Sequence, residues 1–132
     1  MQRTAFIILA AACIAGAAAA QSADGAYTPV QADRGDKLLG QHCAECHAGD
    51  LSGTPGAPAL RGPGFAVNWN GKPVGDLYKY IHDSMPPGQP GSLTEPQYAD
   101  LVAAILKANK QPSGTADLAG DGPGMKTVMA IP

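Results

Sequence analysis

The 132-residue sequence predicts a helical fold, and three observations carry that prediction. Thr28-Pro29-Val30-Gln31 and Thr94-Glu95-Pro96-Gln97 each place Thr ahead of Pro, with Gln three residues after the Thr. That is the pattern of a capped helix start. Val74, Leu77, Tyr78 and Ile81 recur at i, i+3, i+4 and i+7, which gathers them on one face of a helix.

The chain opens with Arg3, an apolar run from Ala5 to Ala20, and Ala18-Ala19-Ala20 in front of polar Gln21. These features read as a cleavable secretory signal peptide over residues 1–20. The run is short and Ala-rich for a membrane span, so no stable membrane anchor is expected. Acylation of Cys13 is the lesser alternative, because Ala10 stands where a lipoprotein signal usually has Leu. The remaining 112 residues suffice for one domain, expected over 21–110, with a tail over 111–132. Eleven acidic residues face eight basic ones once Arg3 is gone, a balance that argues against nucleic acid as partner.

The first predicted helix runs from about Pro29 through Ala32, Leu38 and Leu39 to the first cysteines. Gly35 and Gly40 each weaken it by about 1 kcal/mol relative to Ala, so close approach of another helix at Gly35 is expected. Cys43-Ala44-Glu45-Cys46-His47 follows. Two thiols one helical turn apart and an adjacent imidazole suit covalent attachment of one haem, with His47 as an axial ligand. A thioredoxin-like redox pair would need a βαβ context, and no Val/Ile-rich strand surrounds the motif. Zinc would need a second pair of ligands, and a disulfide would close too small a loop. Export fits, because such haem is attached on the oxidising side of a membrane.

From Gly53 to Gly64, seven residues are Gly or Pro, which predicts an ordered loop. A ligating His needs an acceptor for its other ring nitrogen, and the Pro58 carbonyl is the candidate. Leu60 is a candidate to pack on the porphyrin. Phe65 reads as a core aromatic, and Trp69 carries an indole N–H able to reach a haem propionate.

The helix beginning at Val74 must stop before Pro86, because a residue preceding Pro is pushed out of the helical region. That residue is Met85, presented from an extended segment stiffened by Pro86 and Pro87, and it is the candidate second axial ligand. His82 is the runner-up and is expected to face solvent. In the last helix Tyr98, Leu101, Val102, Ile105 and Leu106 form an apolar stripe, expected to cross the first helix with Tyr98 or Leu101 over Gly35. Lys107 and Lys110 are expected to complement its dipole. Residues 111–132 read either as an extended strap or as a disordered end.

Taken together, Gly35 and Leu39 ahead of the C-x-x-C-H element, Pro58-x-Leu60, Trp69, Met85-Pro86 and the final helix resemble a monohaem class I cytochrome c over about residues 28 to 110. The resemblance implies a compact all-α domain. In it the first and last helices cross near Gly35, the haem sits in a crevice with one edge exposed, and Pro58 bonds His47. The stretch from Ser84 to Thr94 is also similar to cytochromes that accept electrons from quinoprotein dehydrogenases. The expected activity is periplasmic one-electron transfer between a donor dehydrogenase and an acceptor oxidase or cytochrome, without enzymatic turnover. The rivals are a subunit locked into a dehydrogenase or oxidase complex, and a haem enzyme or gas sensor with a displaceable Met85.

Overall fold

The computed structural model describes residues 25–132. The signal-peptide and Cys13 expectations therefore lie outside the described residues. The fold is all-α: α1 Pro29–His42, α2 Ala44–His47, α3 Gly62–Trp69, α4 Val74–Ser84 and α5 Glu95–Ala108, followed by a short 3-10 turn at Pro123–Lys126. Among the described residues β-structure is limited to two isolated bridges, Thr54 with Ala57 and Pro73 with Val128.

At the start of α1 the Thr28 hydroxyl accepts the Gln31 N–H at 3.1 Å. The reciprocal half of the expected capping box is missing. Gln31 instead turns its amide to the backbone of Leu118, donating to its carbonyl at 2.8 Å and accepting its N–H at 2.6 Å. The box at Thr94 is complete, with the Thr94 N–H donating to Gln97 Oε1 at 2.9 Å.

Helices α1 and α5 cross at Gly35, where a Cβ would lie 1.8 Å from the Asp100 carbonyl oxygen and 2.8 Å from the Ala104 Cβ. Asp100 and Ala104 thus stand over Gly35, in place of the expected Tyr98 or Leu101. The apolar stripe has other work: Leu101 lines a cavity and Tyr98 bonds to the backbone of Met85. Two ion-pair groups flank the crossing. Arg34 forks onto Asp100 through two bonds of 2.9 Å, and Lys107 reaches Asp33 at 2.7 Å and Asp36 at 2.8 Å. Lys107 is therefore tied to α1 rather than left to serve the α5 dipole alone. Such half-exposed pairs are screened by solvent, so they orient the crossing more than they stabilise it.

The sequence reading did not foresee α3. It starts on Gly62 with Pro63 inside its first turn, so the Gly/Pro-rich loop ends earlier than its composition suggests. Its return is the i, i+4 pair Phe65 and Trp69, whose rings stack at 6.1 Å, with Phe65 1% exposed. After α5 the chain packs back along the domain and buries Leu118, Met129 and Ile131. The core of this small domain lies between α1, α4 and α5, and it opens on one side into a cavity.

Candidate haem site

The short helix α2 follows α1 after a break at Cys43, whose N–H still donates to the Leu39 carbonyl at 2.9 Å. Cys43 is half-buried, Cys46 is exposed, and both are free thiols. Burial, helped by neighbouring Cys46, pushes the Cys43 thiol up to about 11. His47 is buried, and its Nδ1 lies 2.7 Å from the Pro58 carbonyl oxygen. A carbonyl can only accept, so Nδ1 carries the proton and Nε2 keeps the lone pair that a metal requires.

The loop that presents Pro58 is held from several sides. Gly53 adopts φ +83, and a Cβ there would fall 2.6 Å from the Ala59 nitrogen and 2.9 Å from the Pro58 carbonyl carbon, so only glycine fits. The Gly53 N–H donates to the His47 carbonyl at 2.9 Å, and the Thr54 hydroxyl to the Cys46 carbonyl at 2.8 Å. At the far end Asn109, buried at the end of α5, accepts the Gly62 N–H at 2.9 Å and donates to the Leu60 carbonyl at 2.9 Å. Ser52 and the Arg61 guanidinium hold the Asp50 carboxylate down to about 2, which ties the loop's two ends together on its outer side.

Opposite in sequence, α4 ends at Met85, whose N–H donates to the Ile81 carbonyl at 2.8 Å while its own backbone is extended, φ −125 and ψ 147. Tyr98 donates its hydroxyl to the Met85 carbonyl at 2.9 Å. Met85 is thus fixed on both backbone sides.

These elements enclose one cleft with two lobes. The first, about 460 Å³, is lined by Cys43, Cys46, His47, Met85 and apolar side chains including Leu39, Leu60 and Ile105. The second, about 970 Å³, shares His47, Leu60, Ile81 and Met85 and adds Pro58, Trp69, Lys72 and Tyr80. All seven residues singled out from the sequence, Cys43, Cys46, His47, Pro58, Leu60, Trp69 and Met85, meet around it. The donor set fits a haem: an imidazole nitrogen and a thioether that could hold its iron, two thiols that could bond its edge, and apolar walls for a flat macrocycle. In the wide lobe Trp69 stands edge-on to Tyr80 at 5.6 Å, and the Lys72 ammonium lies 5.2 Å over the Trp69 ring.

His82 corrects one expectation. It does not line the cleft, and it is not simply solvent-facing either. Its ring packs between Tyr78 and Tyr98 at 6.2 and 4.9 Å, and its nitrogens reach Asp83 at 2.8 Å and Glu95 at 3.2 Å. Asn109, Lys72 and the hydroxyl of Tyr98 were missed from the sequence as parts of the site. Asn109 and Lys72 belong to no motif, and Tyr98 reads there only as one more apolar position.

Comparison with known proteins agrees with this geometry. The family described as cytochrome c oxidase, cbb3-type, subunit III matches residues 30–103. A chain in the crystal structure of the sulfane dehydrogenase SoxCD from Paracoccus pantotrophus is similar in fold, at 24% identity and a TM-score of 0.57. The match covers 74% of this chain and 52% of that one, so the present chain spans about half the length of its neighbour. No curated protein matches the sequence. With more than half its length matched and a haem-fitting cleft at the matched residues, the chain belongs to the c-type cytochrome family described by cbb3-type oxidase subunit III, whose members carry haem c and transfer electrons.

Proposed function

We propose that this cytochrome is a periplasmic one-electron carrier with a single haem c, joined by thioethers to Cys43 and Cys46 and ligated axially by His47 and Met85. The observation that carries the reading is an imidazole fixed in one tautomer lining the same apolar lobe as a thioether and the two thiols. When bound, the haem supplies an iron centre that exchanges one electron between the ferric and ferrous states.

The protein's own part is to hold that centre in place. Pro58 keeps the His47 ring oriented and raises its basicity as a donor. The Met85 sulfur favours ferrous iron and so raises the reduction potential. Leu39, Leu60, Ile81 and Ile105 keep water from the cleft. Were His47 and Met85 both to hold the iron, no site would be left on it for a substrate, and the domain would act as a carrier rather than an enzyme. Redox partners dock weakly over the rim at exposed Cys46 and Pro87 through a small interface.

The absorption spectrum of the purified protein, oxidised and reduced, tests this. A low-spin six-coordinate spectrum that carbon monoxide leaves unchanged is expected, and a high-spin spectrum that shifts with carbon monoxide would replace the carrier with a ligand-binding haem protein. A second reading, a subunit held in a dehydrogenase complex, draws support from the likeness to a chain of a sulfane dehydrogenase. Co-purification of a larger partner at stoichiometric amounts would favour it.

A further inference from the structure

The family match ends at residue 103, within α5, so the chain beyond that helix lies outside it. It is fastened nonetheless. Gln31 clamps the backbone of Leu118. Gln111 does the same to Ala130, accepting its N–H at 3.0 Å and donating to its carbonyl at 2.9 Å. Asn70 accepts the Ile131 N–H at 2.9 Å.

Between these points the strap runs antiparallel to the connection from α3 to α4. Val74 donates to the Thr127 carbonyl at 2.9 Å, Met129 to the Lys72 carbonyl at 3.0 Å, and Gly71 to the Met129 carbonyl at 2.9 Å. The Met129 side chain is 1% exposed, so the ladder sits on a buried anchor.

Lys72 is the residue so gripped. Its side chain lines the wide lobe of the cleft beside Trp69 and Tyr80, and its ammonium rides on the Trp69 ring. Among the described residues no carboxylate pairs with it, whereas Arg34, Arg61, Lys79 and Lys107 all have such partners. The turn that carries it has Gly71 at φ +78 and, apart from the strap, backbone bonds only from Asn70 to the Ala66 carbonyl at 2.9 Å and from Lys72 to the Trp69 carbonyl at 3.2 Å. Without the strap, little would hold that cation in place.

Resting on the function proposed above, we propose that the C-terminal strap is a potential-setting element: it holds Lys72 where its positive charge faces the carboxylates of the bound porphyrin. A fixed cation there favours the ferrous state, which carries one more electron, and so raises the reduction potential. Lys72 is itself exposed, so its influence depends on how close its charge is held to those carboxylates, and a Lys72 free to swing away loses most of it.

The test is a set of midpoint potentials on haem-loaded protein, with amide exchange as a readout that does not involve the iron. Lys72→Gln is expected to lower the potential, and a chain cut after Lys110 to lower it in the same direction. Combining the two is expected to give no further fall, because both remove one interaction. Gln111→Ala, which releases the strap only at Ala130, is expected to speed exchange at the Val74 and Met129 amides and to lower the potential part-way. Additive falls, or an unchanged potential in Lys72→Gln, overturn the proposal. Should the cut chain fail to hold haem, Gln111→Ala alone and combined with Lys72→Gln decides between the same outcomes. A parent protein without the low-spin spectrum removes the carrier reading itself, which the potentials of the variants do not address.

Discussion

Tyr98 reaches across from α5 to donate its hydroxyl to the carbonyl of Met85 at 2.9 Å, and its ring is fully buried. The residue that offers the thioether is thus steadied by the helix that packs on α1. Tyr98→Phe keeps the ring and removes the bond, for a loss of about 1 kcal/mol in unfolding free energy. Because the lost bond is local to Met85, added imidazole should displace the thioether more readily in this variant. Imidazole titration of the ferric protein measures that, and an unchanged affinity would mean the bond does not steady the ligand.

On the proposed ligation, Met85→Ala should turn a low-spin iron into one that binds carbon monoxide when reduced, and should lower the potential, since a thioether ligand favours the ferrous state. His82→Ala should do neither, because His82 lies outside the cleft. Reduced spectra with and without carbon monoxide separate the two variants directly.

At the crossing of α1 and α5, Gly35→Ala would drive a methyl group to 1.8 Å from the Asp100 carbonyl. The neighbour is backbone, which cannot rotate away, so the helices must separate. The cost should reach the upper end of overpacking, about 3 kcal/mol, seen as a lower unfolding midpoint of the haem-loaded protein. Gly40→Ala, where a Cβ meets nothing within 4 Å, should stabilise by about 1 kcal/mol.

Asn109 makes three bonds of 2.9 Å, to Gly62, Leu60 and Ile105, from a position 3% exposed. Asn109→Ala should cost about 1–3 kcal/mol, the range for leaving buried partners unmet. Because the loop it pins carries Leu60 and leads back to Pro58, the His47 Nδ1 proton should also exchange faster. Proton NMR of the reduced protein checks both ends of that link.

The Asp83 hydrogen bond, aided by Glu95, raises the His82 pKa above its ordinary 6.5. A raised folded value means the protonated form is the one favoured by folding. The stability it adds is therefore complete below about pH 6.5 and is lost as pH rises through the higher folded value. Asp83 is itself shifted down by Lys79 and His82, so it stays charged throughout that window and fails only in stronger acid. Denaturant unfolding of parent and His82→Gln at several pH values should show the gap between them closing as pH increases. A constant gap would mean the ring contributes only by packing between Tyr78 and Tyr98.

Much of the architecture could be read from the sequence because the relevant signals are local. Thr94 and Gln97 cap α5 through contacts three residues apart, and Val74 to Ile81 declares its own apolar face. The C-x-x-C-H element is equally self-contained, and the structure brings Pro58, Leu60, Trp69 and Met85 to it. What escaped notice depends on partners distant in sequence. α3 hides behind Gly62, Pro63 and Gly64, which look like loop until Phe65 and Trp69 are seen to stack. Gln31 follows a capping pattern, yet Leu118 claims its amide from 87 residues away. Lys72 looks like an ordinary surface lysine until residues 127–129 are laid beside it.

The long reach of those clamps bears on how the molecule is made. Tyr27 donates to the Gln111 carbonyl at 2.8 Å across 84 positions, and the Gln31–Leu118 pair spans still more. Closing so large a loop costs entropy before any contact compensates, which makes it a late event in folding. The tail is therefore expected to settle after the helices have gathered, so that the last residues of the chain close against Asn70 and Gln111 only once α1 and α5 have met.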